Sequence, residues 1–164
     1  MKSWRLPRIS SVSMIKVITV GKRHESWVSE GIERYQKRLR APWNLEWVLL
    51  PHSSLDGLRA RQDESERILS KLNASDYVIL LDERGKLLDS PALAQLLQQQ
   101  IDSSTNIVVI IGGAYGVSSD LQQRADVIWS LSPAVFPHQL VRLIFIEQLY
   151  RSQEISAGRP YHHN

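Results

Sequence analysis

The sequence predicts an α/β domain, a parallel β-sheet with helices on both faces. Three observations carry this. Short β-branched runs alternate with longer segments of helical period along the chain after residue 13. Two of the runs, YVILL at 77–81 and the IVVII of NIVVII at 106–111, are apolar throughout, as strands buried on both faces are. No linker, internal repeat or low-complexity tract divides the 164 residues.

The elements follow in order. IKVITV (15–20), closed by Gly21, reads as a buried strand. Val28, Ile32, Tyr35 and Leu39 then recur at helical spacing, which predicts a helix over 24–40 stopped by Pro42. LEWVLL (45–50) is a second strand ended by Pro51. Residues 54–72 are polar and helix-prone, with Leu58, Ile68, Leu69 and Leu72 as the buried positions. The third strand, 77–81, is followed by a turn, Asp82-Glu83-Arg84-Gly85-Lys86. Ser90 caps a helix to about Ile101, with Pro91 at its first position. The fourth strand, 106–111, ends in the glycine turn GGAYG (112–116). A short helix at 119–124, a strand at 127–131, the proline-framed loop SPAVFP (132–137) and a last helix to about Ile155 complete the chain.

Composition narrows the function. With 43% hydrophobic and 23% charged residues, the chain is one soluble globular domain, and a chain of this length buries about 70% of its unfolded surface. The absence of cysteine excludes disulfides, thiolate zinc sites and cysteine nucleophiles, and fits a reducing, cytoplasmic setting. No run spans a bilayer, since the best, 140–146, is broken by Arg142. The net charge of +3 lies in the first thirteen residues, where Lys2, Arg5 and Arg8 stand without an acid. Residues 14–164 hold 17 basic and 17 acidic side chains, so overall basicity is no argument for nucleic acid. That leader reads as outside the fold, either a transit-type peptide or a misassigned start ahead of Met14.

Ligands of open α/β sheets bind beyond the carboxyl ends of the strands, which directs attention to LDERGK, IGGAYG and LSPAVFPH. Glycines 112, 113 and 116 allow positive φ or close backbone approach, although such a turn can also be a mere connection. The P-loop, the dinucleotide fingerprint, the acidic pair of a receiver domain, the GxSxG elbow and the HExxH zinc helix are all missing, and no metal is expected. Eight of the eleven residues from Leu140 to Tyr150 are apolar and occupy more than one helix face. One face then packs on the sheet and another on a second subunit. His138 and Arg142 lie one turn apart at the start of that helix, where the macrodipole favours a neutral imidazole.

These pieces, MIKVITVGK, LDERGK, VVIIGGAYG, LSPAVFPHQLVRLIFIEQLYR and the terminal PYHH, closely resemble the RlmH family. Its members are small SPOUT-class methyltransferases that methylate N3 of a pseudouridine in large-subunit ribosomal RNA. The resemblance covers residues 14–164 as a single domain. It implies a C-terminal trefoil knot, S-adenosylmethionine as cofactor, a homodimer with its site near the subunit interface, and the assembled ribosome as substrate. Carried onto this chain, cofactor contacts fall on Leu81, Gly112, Leu131, Ser132, Pro133, Ala134, Val135 and Phe136. Around the target base it points to His138, Arg142, Tyr161 and His162. Arg34, Lys37, Arg38 and Arg40, with Arg59, Arg61 and Arg67, are candidates for phosphate contact. The chemistry asks for few groups. A pseudouridine N3 of pKa about 9 costs on the order of 3 kcal/mol to ionise at neutral pH, which a neutral histidine or a nearby arginine can offset. A non-catalytic ribosome-assembly factor on the same fold is the alternative, and a cofactor titration separates the two.

Overall fold

The computed structural model describes residues 15–163. The leader read at 1–13 lies outside the described residues. Five strands, β1 (Ile15–Val20), β2 (Leu45–Leu50), β3 (Tyr77–Leu87), β4 (Ile107–Ile111) and β5 (Val127–Ser130), form one sheet in the order β2-β1-β4-β3-β5. All four pairings are parallel. Strand alternation sends Ile15, Val17, Ile107 and Val109 to one face, where α1 (Ser26–Gln36), α3 (Ser90–Asp102) and α5 (His138–Ser156) cover them with Val28, Leu97 and Phe145. Ile18, Val20, Val108 and Ile110 face the other way, under α2 (Gly57–Leu69) and α4 (Ser119–Arg124), which contribute Ile68 and Leu121. Apolar strands and covering on both faces are therefore one fact.

Four local expectations are corrected. Residues 82–86 are no turn, because β3 continues through them to Leu87. A bulge between Leu81 and Lys86 brings both residues against Trp129 of β5. Gly85 is the reason the strand can pass: a Cβ there would stand 2.6 Å from the Ile128 carbonyl oxygen. The cap of α3 is Asp89, whose carboxylate accepts from the Ala92 N–H at 2.8 Å, with Ser90 already helical. The first helix ends at Gln36, although Leu39 beyond it is still buried in the turn. Leu58 is exposed, because the inward stripe of α2 runs through Ala60, Glu64 and Ile68 at steps of four.

Candidate active site

A cleft of about 720 Å³ opens beyond the carboxyl ends of β4 and β5, with the bulged stretch of β3, Leu81 to Arg84, along one side. Leu81, Gly112, Leu131, Ser132, Ala134, Val135 and Phe136 line it together; Pro133 does not, its ring lying exposed outside the cleft. Sheet order explains the gathering, since β5 sits beside β3 and β3 beside β4, so three segments far apart in sequence end side by side. Each glycine of the 112–116 turn has its own reason. Gly116 takes φ +75°, the left-handed region that disfavours side chains, and its N–H closes the turn on the Gly113 carbonyl at 3.1 Å. Gly112 and Gly113 are needed for space, as a Cβ would stand 2.8 Å from Val117 Cγ1 at the first and 2.7 Å from Glu64 Oε1 at the second.

Polar groups ring the cleft. Asp82 accepts from the Arg84 backbone N–H at 2.9 Å and from its Nη2 at 3.0 Å, a clamp that closes the bulge and holds the Asp82 carboxyl below its usual pKa. Arg61 lines the cleft and donates through Nε to the Tyr115 carbonyl at 2.6 Å. His138 forms part of the wall as the first residue of α5. Burial, then Arg142, then His52 push its pKa down, and Glu64 opposes them, so the imidazole is neutral near pH 7.

The other three base-directed residues are not in this cleft. Arg142 is 1% exposed, and its guanidinium donates to the Val20 carbonyl at 2.9 Å and the Arg23 carbonyl at 2.9 Å, with His24 Nδ1 at 3.3 Å. In this chain it ties the β1–α1 connection to α5. Tyr161 and His162 fold back on α5: the Tyr161 ring lies edge-on to Tyr150 at 4.8 Å, its hydroxyl donates to Glu147 at 3.3 Å, and Arg151 Nη1 approaches His162 Nδ1 at 3.2 Å. Burial first, and then Glu147, push the Tyr161 phenol up to about 12, which keeps it a proton donor. His162 lines a second cavity that shares Leu131 and Phe136 with the cleft, so those two side chains form a wall between the tail and His138. Of the seven basic candidates, Arg61 reaches the cleft. Arg67 is engaged by Asp63 at 2.7 Å and the Pro51 carbonyl at 3.0 Å, while Arg34, Lys37, Arg38, Arg40 and Arg59 stand exposed on α1 and α2 and the turn after α1.

A family model described as "Predicted SPOUT methyltransferase" matches residues 14–162. The chain belongs to the SPOUT methyltransferase family. Similar proteins include Ribosomal RNA large subunit methyltransferase H of Desulfitobacterium hafniense, 39% identical over 90% of this chain and 98% of that protein. The protein of the same name from Alkalilimnicola ehrlichii is 40% identical over 90% of this chain and 97% of its own length. Among solved structures, the SpoU methyltransferase AviRb of Streptomyces viridochromogenes, in complex with AdoMet, has a TM-score of 0.47 at 14% identity, covering 88% of this chain and 59% of that one.

This SPOUT chain holds site groups that the sequence reading missed. His52 and Glu64 bear on His138, and the Asp82–Arg84 clamp shapes one wall. Glu64 had a detectable signal, its four-residue spacing from Ala60 and Ile68, which places a carboxylate on the inward face of α2. His52, in the connection after β2, had none.

Proposed function

We propose that this SPOUT methyltransferase transfers the methyl group of S-adenosylmethionine to N3 of a pseudouridine in large-subunit ribosomal RNA of the assembled ribosome. The observation that carries the cofactor is the cleft: a glycine cradle that a Cβ would fill and apolar walls from Leu81, Leu131, Val135 and Phe136 suit an adenosine moiety. The similarity to ribosomal RNA large subunit methyltransferases, which align along nearly their whole length, supports the ribosomal substrate. S-adenosylmethionine brings a methyl group on a sulfonium, a leaving group that needs no further activation.

The chain's own residues then have two tasks, to exclude water and to deal with the N3 proton. The glycine turn with Leu131, Ser132, Ala134, Val135 and Phe136 would enclose the cofactor. His138, neutral and at the cleft wall, accepts the proton. Arg142 acts by fixing the loop after β1. The tail residues Tyr161 and His162 serve the base at a subunit interface, since the wall of Leu131 and Phe136 separates them from His138 within one chain. We assign the C-terminal segment a trefoil knot, the assembly a homodimer through α5, and the site of action to the cytoplasm.

Mass analysis of ribosomal RNA from cells lacking the protein tests the reading. The RNA should lack one methyl group on a large-subunit pseudouridine and regain it on incubation of the ribosomes with purified protein and S-adenosylmethionine. Unmodified RNA after that incubation, with the cofactor bound in a parallel titration, would reduce the protein to a binding factor.

A further inference from the structure

Glu64 is out of place for a residue of a polar surface helix. Its side chain is 4% exposed, Oε2 accepts from the Ser53 N–H at 3.2 Å, and Oε1 has no hydrogen-bond partner among the described residues. A half-satisfied buried carboxylate costs stability, and the neighbouring positions Ala60 and Ile68 show that this stripe would accept an apolar residue. The carboxylate stands where the site is built. Oε1 occupies the space of the absent Gly113 side chain, and Gly113 also lines the cleft. Oε2 lies 3.9 Å from His52 Nδ1, and the other ring nitrogen of His52 approaches Gly21 at the end of β1, the same point reached by Arg142 Nη2.

We propose that Glu64 is a positioning residue of the methyl-transfer site: seated behind Gly113 and against His52, its carboxylate is the counter-charge for the imidazole of His138. The need for one follows from the surroundings of His138. Burial above all, then Arg142 from its own helix and His52 from the β2–α2 connection, oppose a positive charge there, as a helix N-terminus does in general, and Glu64 from α2 favours it. Arg61, Asp82, Glu83 and Arg84 are the other charged residues that line the cleft. When the N3–H bond breaks, the proton goes to the unprotonated ring nitrogen of His138, and the electron pair left on N3 takes the methyl group. Imidazole thereby becomes imidazolium in a place otherwise hostile to it, and Glu64 makes that charge tolerable. The proton returns to water after the methylated base departs.

The inference rests on the methyl-transfer reading, so its test has a readout independent of turnover. The His138 ring of histidine-labelled full-length protein is titrated by NMR in wild type, Glu64→Gln, Glu64→Asp and His52→Ala. Loss of the counter-charge in Glu64→Gln should lower the His138 midpoint by about half a pH unit or more. His52→Ala should raise it, and Glu64→Asp should restore part of the wild-type value. With ribosomes as substrate, Glu64→Gln should lower kcat about tenfold, shift the acid limb of the rate profile to lower pH and leave the cofactor KM unchanged. An unmoved His138 midpoint in Glu64→Gln would overturn the proposal whatever happens to activity. If that variant fails to fold, an unmoved midpoint in His52→Ala does the same. A wild type that titrates as expected but transfers no methyl group would count against the substrate reading and leave the electrostatic one standing.

Discussion

Arg142 carries a permanent charge into the interior and spends it on two backbone carbonyls, those of Val20 and Arg23. The Arg23 carbonyl also accepts from Gln139 Nε2 at 3.2 Å, so removing the guanidinium strips the Val20 carbonyl of its charged donor in the interior, leaves Arg23 to Gln139 alone, and empties the space of a large buried side chain. Arg142→Ala should therefore lose about 3 kcal/mol or more of stability in urea denaturation. Arg142→Lys should recover less than half of that, since a single ammonium cannot fork to both oxygens. Wild-type stability in Arg142→Ala, with methyl transfer lost, would show instead that the guanidinium serves the substrate. The sequence distinguishes these roles poorly. His138 and Arg142 share a helix side, which the four-residue spacing reveals, but whether a long side chain turns toward a cleft or threads under a loop depends on the loop, here Gly21 to Glu25, which has no periodic signal. For His138 the macrodipole argument does transfer, because it needs only the helix start fixed by Pro137.

At the scale of elements, hydrophobic period and breakers located the five strands and five helices of the described residues, because the strands begin in short runs rich in apolar and β-branched residues and the helices carry recurring apolar positions. The exception is instructive. Asp82-Glu83-Arg84-Gly85 has turn composition, yet β3 runs through it, since the Asp82–Arg84 clamp closes a bulge and Gly85 lets two backbones approach. Composition registers the glycine but not whether φ or proximity requires it. Two substitutions separate those requirements. Gly85→Ala meets a backbone oxygen and should cost roughly 2 kcal/mol as β3 and β5 are forced apart. Gly112→Val meets a side chain within the glycine turn and, if that turn holds the cofactor as proposed, should weaken S-adenosylmethionine more than about tenfold by calorimetry with circular dichroism unchanged. Unchanged affinity in Gly112→Val would make the turn a structural connection.

For the whole molecule, α5 is the member that joins α1, α3 and the sheet face beneath them. No residue from His138 to Ile155 is exposed even in a single chain, yet Leu140, Leu143, Ile144 and Tyr150 are only half-buried, and Trp27 of the neighbouring α1 is 50% exposed. Covering that surface with a second copy gives a symmetric dimer, and sedimentation at micromolar protein should report about twice 18.8 kDa. A fully active monomer would remove the α5 interface. The same helix has a consequence for synthesis. Gln139 bonds to Glu25 and Arg23, Arg142 to Val20 and Arg23, and Gln153 to Arg38 and Arg40, each across more than 110 residues. The first βαβ unit thus has main-chain groups that find their partners only when α5 has emerged from the translating ribosome. Non-local closure of this kind is slow. A nascent chain halted before residue 138 holds β1 and α1 without their keystone, so acquisition of the native state waits for the synthesis of α5.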